Sequence, residues 1–98
     1  MSNQKYEDMI TDVSSTVIVI IPAYNEGKSI FHVASSIKQE YPLYHIVVID
    51  DGSDDETYLQ AKKAGVTVLR HPYNMGYGLA LQTGYKYAFI NNYMYLVQ

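Results

Sequence analysis

Cysteine is absent from the 98 residues. That excludes a disulfide framework and a thiolate metal site, and it fits a reducing compartment. There is no basic run either, and the net charge is −3. Nothing is present to neutralise a row of phosphates, so no nucleic-acid partner is expected. Long apolar runs are missing too. The longest, Val17 to Ile21, stops at Pro22, far short of the about 20 residues of a spanning helix. Residues 1–15 are polar and acidic, without the basic start and apolar middle of a secretion signal. They are expected to form a flexible N-terminal tail. The three histidines, His32, His45 and His71, show no metal spacing, and each is assigned a structural or solvent role.

What remains is the composition of one folded domain, here residues 16–98. Hydrophobic residues make up 48% and charged residues 17%, and the length suits a single modest core. Thr16–Ile21 is a β-branched run, apolar on both faces, as in a buried parallel strand. Asn25 is a plausible cap for a helix carrying Ile30, Val33, Ala34 and Ile37, with Glu26 in its first turn. His45–Ile49 is a second buried strand. Ser53 and Glu56 match a capping box for a short helix with Tyr58, Ala61 and Ala64 on one side, stopped at Gly65. Val66–Leu69 is a third strand. Ala80, Gly84 and Ala88 give a third helix a smooth stripe for packing on a sheet. Tyr93–Val97 is a fourth strand, and the late tyrosines 85, 87, 93 and 95 are expected between helix and sheet. The alternation predicts an α/β fold: a Rossmann-like open parallel sheet, strand order 3-2-1-4, helices on both faces. Ligands of such sheets bind where the strands end, at their C-terminal edge.

Three clusters fall on that edge. Five of the ten acidic residues lie between Asp50 and Glu56. Residues 53–56 are explained by helix capping. Asp50 and Asp51, directly after an apolar strand, are not. A carboxylate there can accept a hydrogen bond from a base N–H or a ribose hydroxyl. As metal ligands the two would point apart, which suits one ligand better than two. Pro22-Ala-Tyr24-Asn-Glu26 offers a ring to stack on a base and a carboxylate for a ribose, though it also reads as a plain strand-to-helix turn. Asn74-Met-Gly76-Tyr-Gly78 opens the third helix with backbone that a phosphate could approach; a flexible loop is the alternative.

Taken together, Val-Ile-Val-Ile-Ile-Pro22-Ala-Tyr24-Asn25-Glu26, Val-Val-Ile49-Asp50-Asp51-Gly52-Ser53-X-Asp55-X-Thr57 and Asn74-X-Gly76-X-Gly78-X-Ala80-X-X-X-Gly84 resemble the family-two inverting glycosyltransferases. Polyprenyl- and dolichyl-phosphate hexosyltransferases are the nearest kin by these motifs. Asp54 departs from the pattern, where threonine is common. The resemblance implies the nucleotide-binding part of a glycosyltransferase A fold, truncated within it. Pro22, Tyr24 and Glu26 would lie along the donor nucleotide, Ile49 would flank the base and Asp51 would hydrogen-bond it, with Asp50 supporting the loop. The partner would be a UDP- or GDP-hexose. Mg²⁺ or Mn²⁺ is implied for the full-length enzyme, held by an Asp-X-Asp motif expected at or after Gln98, and no metal or catalytic residue is assigned within the chain. The full-length enzyme would transfer a hexose with inversion to a lipid-phosphate or glycan acceptor. It would work in the cytoplasm, with room for a place at the inner face of a membrane. The chain alone is expected to be inactive and to self-associate through its apolar C-terminal edge. A non-catalytic nucleotide-binding or interaction module, and a different α/β enzyme such as a nucleotidyltransferase, are the competing readings.

Overall fold

The computed structural model describes residues 16–98; the tail expected over 1–15 lies outside the described residues. Among the described residues seven elements alternate: β1 (Val17–Ala23), α1 (Ile30–Glu40), β2 (His45–Asp50), α2 (Thr57–Lys63), β3 (Thr67–Arg70), α3 (Tyr77–Ile90) and β4 (Tyr95–Val97). The strands form one sheet in the order β3-β2-β1-β4, every pair parallel. The fold is therefore the open parallel α/β sheet that the alternation predicts.

The strand period of two sorts the core. Ile18, Ile20, Val47 and Ile49 face α3, where they meet Ala80 and Ala88. Ala23 and Val48 face the other way, against Ile30 and Ala34 of α1 and Ala61 and Ala64 of α2. The small stripe on α3 works by proximity: a methyl group added at Gly84 would lie 2.5 Å from Ile20 Cγ2. Only glycine lets α3 sit this close to β1.

Several local expectations give way. β1 does not stop at Pro22 but continues to Ala23. Asp51 N donates to Ala23 O, so Ala23 faces β2 and the alternation turns Pro22 the other way. On that side β4 pairs only with Val17 to Val19, so the missing N–H breaks no ladder bond. Asn25 does not cap α1, whose cap residue is Ser29. Asn25 stands at φ 53° and binds the next loop instead. Ser53 and Glu56 form no capping box, because Glu56 itself is the cap residue and makes no side-chain cap bond. Asp55 Oδ1 accepts the Thr57 N–H at 2.9 Å in its place. Of the late tyrosines, Tyr87 and Tyr93 pack against the α3 core, whereas Tyr85 and Tyr95 are exposed. Val33 is also exposed.

His45 opens β2 and ties three elements together. Its Nε2 lies 2.9 Å from Thr67 Oγ1 of β3, and its Nδ1 meets the Tyr93 hydroxyl before β4. Burial pushes the imidazole below its ordinary value of 6.5. A group whose folded value is depressed binds more protons unfolded, so its contribution is complete above 6.5 and is lost as pH falls through the folded value. Thermal unfolding should therefore move to lower temperature between pH 7.5 and pH 5.5. The His45→Asn chain should lose that slope, and an unchanged slope would show that His45 is not its source.

Candidate functional site

β1, β2 and β3 end side by side, at Ala23, Asp50 and Arg70. The loops leaving them are stitched together by bonds that span long stretches of sequence. Asn25 N donates to Ser53 Oγ at 2.9 Å, and Asp54 N returns to Asn25 Oδ1 at 2.9 Å. Glu26 N donates to Thr57 Oγ1 at 2.8 Å, and Gly27 N to Asp55 Oδ2 at 3.0 Å. The Pro-Ala-Tyr-Asn-Glu turn and the acidic loop are one structure. Ser53, Asp55 and Thr57 hold the first turn in place with their side chains, and Asp54 joins them through its backbone N–H. The Thr57 hydroxyl and amide bonds hold the Asp55 carboxyl below its ordinary value.

The two adjacent carboxylates part to opposite faces, as strand geometry requires. Asp50 is fully buried. It accepts the Ser53 N–H at 3.1 Å on Oδ1, and its Oδ2 lies 3.4 Å from Arg70 Nε without a hydrogen bond. Arg70 in turn lies over the Tyr58 ring. Asp50 thus secures the loop. Asp51 turns toward α3 and binds the third motif. Its Oδ1 accepts Met75 N at 2.9 Å and faces His71 Nδ1 at 2.8 Å; its Oδ2 accepts Gly76 N at 2.9 Å. Burial pushes this carboxyl up, but the bonds from His71, Met75 and Gly76 outweigh it and hold the group below the usual carboxylate value.

Between these loops opens a cleft of about 460 Å³, lined by Pro22, Tyr24, Glu26, Asp51, Gly76 and Tyr77 among others. Four of the five residues expected at a ligand are brought together here: Pro22, Tyr24, Glu26 and Asp51. Ile49 is not. It is fully buried against Ile18, Ile20 and Val47 under α3, because it precedes the strand end and its side chain is needed for the core. Its side chain does not line the cleft. The sequence reading also missed His71, which is 8% exposed and bridges Asp51 to α3: its Nε2 lies 2.7 Å from Thr83 Oγ1. The signal was faint, since nothing in the local sequence pairs a histidine with a carboxylate 20 residues earlier.

A divalent ion is implied for the full-length enzyme, and the residues present can be tested against it. Among the described residues no three of His, Cys, Asp and Glu converge as a metal would need. The cleft carboxylate of Asp51 already serves three protein donors. These side chains do not fit an ion by themselves. Among the described residues, no helix is long and apolar enough to cross a membrane.

Comparison with known proteins agrees with this fold. The profile of Glycosyl transferase family 2 matches residues 18–96. A UDP-N-acetylglucosamine–dolichyl-phosphate N-acetylglucosaminyltransferase of Methanococcus voltae is 33% identical over 90 residues, covering 74% of this chain and 36% of that protein. Glucosyl-3-phosphoglycerate synthase of Mycobacterium tuberculosis, solved with Mn²⁺, UDP-glucose and phosphoglyceric acid, superposes with TM-score 0.64 and 30% identity over 76% of this chain and 30% of that one. A mannosyltransferase of Pyrobaculum calidifontis, solved with GDP-mannose and Mn²⁺, gives TM-score 0.64 and 26% identity over 74% of this chain and 24% of that one. The chain spans less than two-fifths of the length of curated relatives it matches, 36% and 38% in two of them. The profile match runs through all four strands and all three motifs, and the chain belongs to glycosyltransferase family 2.

Proposed function

We propose that the cleft binds the nucleoside diphosphate of a sugar donor, a UDP- or GDP-hexose. The observation that carries this reading is the convergence of Pro22, Tyr24, Glu26 and Asp51 on one cleft at the C-terminal edge of the parallel strands, the place where such sheets take their ligands. The Tyr24 ring is exposed for stacking, and Asp51 offers a charged acceptor to a base N–H. The backbone from Asn74 to Gly76, anchored on Asp51, borders the sugar and phosphate side. Support comes from the solved relatives, which hold UDP-glucose and GDP-mannose.

The whole enzyme would displace the nucleoside diphosphate at the anomeric carbon in one inverting step. A hydroxyl acceptor needs a carboxylate base. A lipid phosphate is already anionic and needs none, and the dolichyl-phosphate relative favours that class of acceptor. Such an acceptor would place the enzyme on the cytoplasmic side of a membrane.

Titration of the ¹⁵N-labelled chain with UDP or GDP tests donor binding. Amide shifts are expected at residues 23–27, 51–53 and 74–77. They are not expected around the smaller cleft of Lys38, Tyr44 and Thr67 at the opposite end of the strands. Shifts confined to that opposite end, or none at millimolar nucleotide, would end the reading.

The apolar C-terminal edge is a second part of the proposal. Phe89, Ile90 and Met94 are 85%, 73% and 73% exposed, and Tyr95, Leu96 and Val97 of the edge strand are exposed as well. Contiguous apolar surface and open strand edges recruit partners. The chain should sediment as a dimer or larger assembly, and Phe89→Lys with Met94→Lys should return it to a monomer. A wild-type monomer at high concentration would remove the idea.

A further inference from the structure

We infer that the cleft selects a uracil base over a guanine, and that His71 sets this choice by filling one oxygen of Asp51. The inference rests on the donor-binding reading and narrows it. An ionised carboxylate has about four lone-pair sites. Asp51 Oδ1 spends two, on Met75 N and His71 Nδ1, and Oδ2 spends one, on Gly76 N. One site is left, on Oδ2, in a residue that lines the cleft.

Uracil presents a single ring N–H between two carbonyl groups. Guanine presents a ring N–H and, beside it, an amine N–H pointing the same way. The natural partner of that pair is both oxygens of one carboxylate. Here the second oxygen is full. A guanine seated on Oδ2 would carry its amine N–H into the cleft opposite an oxygen with no lone pair to give. A buried donor left unpaired loses far more than a missing favourable contact.

His71 is held so that this filling does not depend on its charge. Its Nε2 faces Thr83 Oγ1, and that hydroxyl is also 3.1 Å from Leu79 O. With a neutral ring, Thr83 donates to Nε2. With a charged ring, Nε2 donates to Thr83, whose proton turns to Leu79 O. In both states Nδ1 keeps its proton on Oδ1 of Asp51. His71 is thus a positioning residue for specificity, acting through Asp51.

The test compares UDP and GDP dissociation constants for the full chain by calorimetry or NMR titration. UDP should bind roughly tenfold tighter or better. His71→Leu frees a lone pair on Oδ1, so the ratio should fall toward unity through recovered GDP binding. His71→Asn, whose amide N–H can replace Nδ1–H, should keep the ratio. A purely structural His71 would weaken both nucleotides together and leave their ratio alone. GDP binding equal to or tighter than UDP in the wild type overturns the inference while donor binding stands. An unchanged ratio in folded His71→Leu overturns the role of His71. If His71→Leu does not fold, His71→Ala, which likewise frees a lone pair on Oδ1, decides by the same change in ratio. Binding of neither nucleotide removes the inference together with the reading beneath it.

Discussion

Alanine in place of Gly52 should cost the chain about 2.5–5 kcal/mol, from left-handed strain of ~1–2 kcal/mol and at least one weakened charge-assisted bond of ~1.5–3 kcal/mol. Gly52 sits at φ +70°, and a methyl group there would lie 2.2 Å from the Tyr73 carbonyl carbon and 2.4 Å from Asn74 N. Both atoms are backbone, so no side-chain rotation relieves the clash. The acidic loop and the 71–76 loop must part, and the bonds from Met75, Gly76 and His71 to Asp51 cross that seam. A domain of this size has only about 5–15 kcal/mol to lose. Denaturant unfolding should show the shift, with a fall in Tm of more than about 10 °C. Gly78→Ala is the contrast. That position is helical and its added methyl meets nothing within 4 Å, so it should be neutral or stabilising by up to about 1 kcal/mol. A Gly52→Ala chain within about 1 kcal/mol of wild type would mean the two loops do not press on each other as described.

The same seam separates what the sequence shows from what it hides. The buried strands are legible because β-branched runs have few other uses, and the α3 face is legible because Ala80, Gly84 and Ala88 recur every turn. The divergence of Asp50 and Asp51 follows from strand geometry alone. Each of these readings needs only neighbours in sequence. Asn25 defeats such a reading. Its composition suggests a cap, but its partners Ser53 and Asp54 lie 28 and 29 residues away. The capping box fails because the helix begins only after Glu56, while Ser53 Oγ serves Asn25 N from the first loop. His71 is the extreme case: its role is defined by Asp51 before it and Thr83 after it, and by nothing beside it.

The motifs of the site were legible as residue types, whereas their bonds were not. Asp51 was expected to meet a base directly. The structure shows a carboxylate that first organises the loop from His71 to Gly76 and has one acceptor site left over. In the proposed reading, a ligand contact and a folding contact share one side chain. That sharing changes what a substitution there reports, because loss of affinity can come through either.

Asp51→Asn should therefore act twice. The amide matches the carboxylate in shape but carries a donor in place of one oxygen. Turned toward Gly76, it faces that N–H with its own; turned the other way, it faces both Met75 N–H and His71. The first is the less costly, and the lost charge-assisted bond should lower stability by about 1.5–3 kcal/mol. A base N–H would meet the same amide, so affinity for uridine diphosphate should fall about tenfold to a hundredfold. Asp54→Asn is the control. The Asp54 side chain is exposed, and the residue serves the loop through its backbone N–H, so neither quantity should move. Equal effects of the two substitutions would reduce the acidic loop to a helix start and withdraw Asp51 from nucleotide recognition. The two effects of Asp51→Asn can be separated by N3-methyl-UDP, which lacks the ring N–H. Wild type should bind it about tenfold more weakly than UDP, whereas the Asp51→Asn chain should hardly distinguish the two ligands. The double difference isolates the contact between carboxylate and ring N–H from any loosening of the loop, since the loosening is common to both ligands. If the methyl group costs the Asp51→Asn chain as much as it costs wild type, Asp51 shapes the cleft without touching the base.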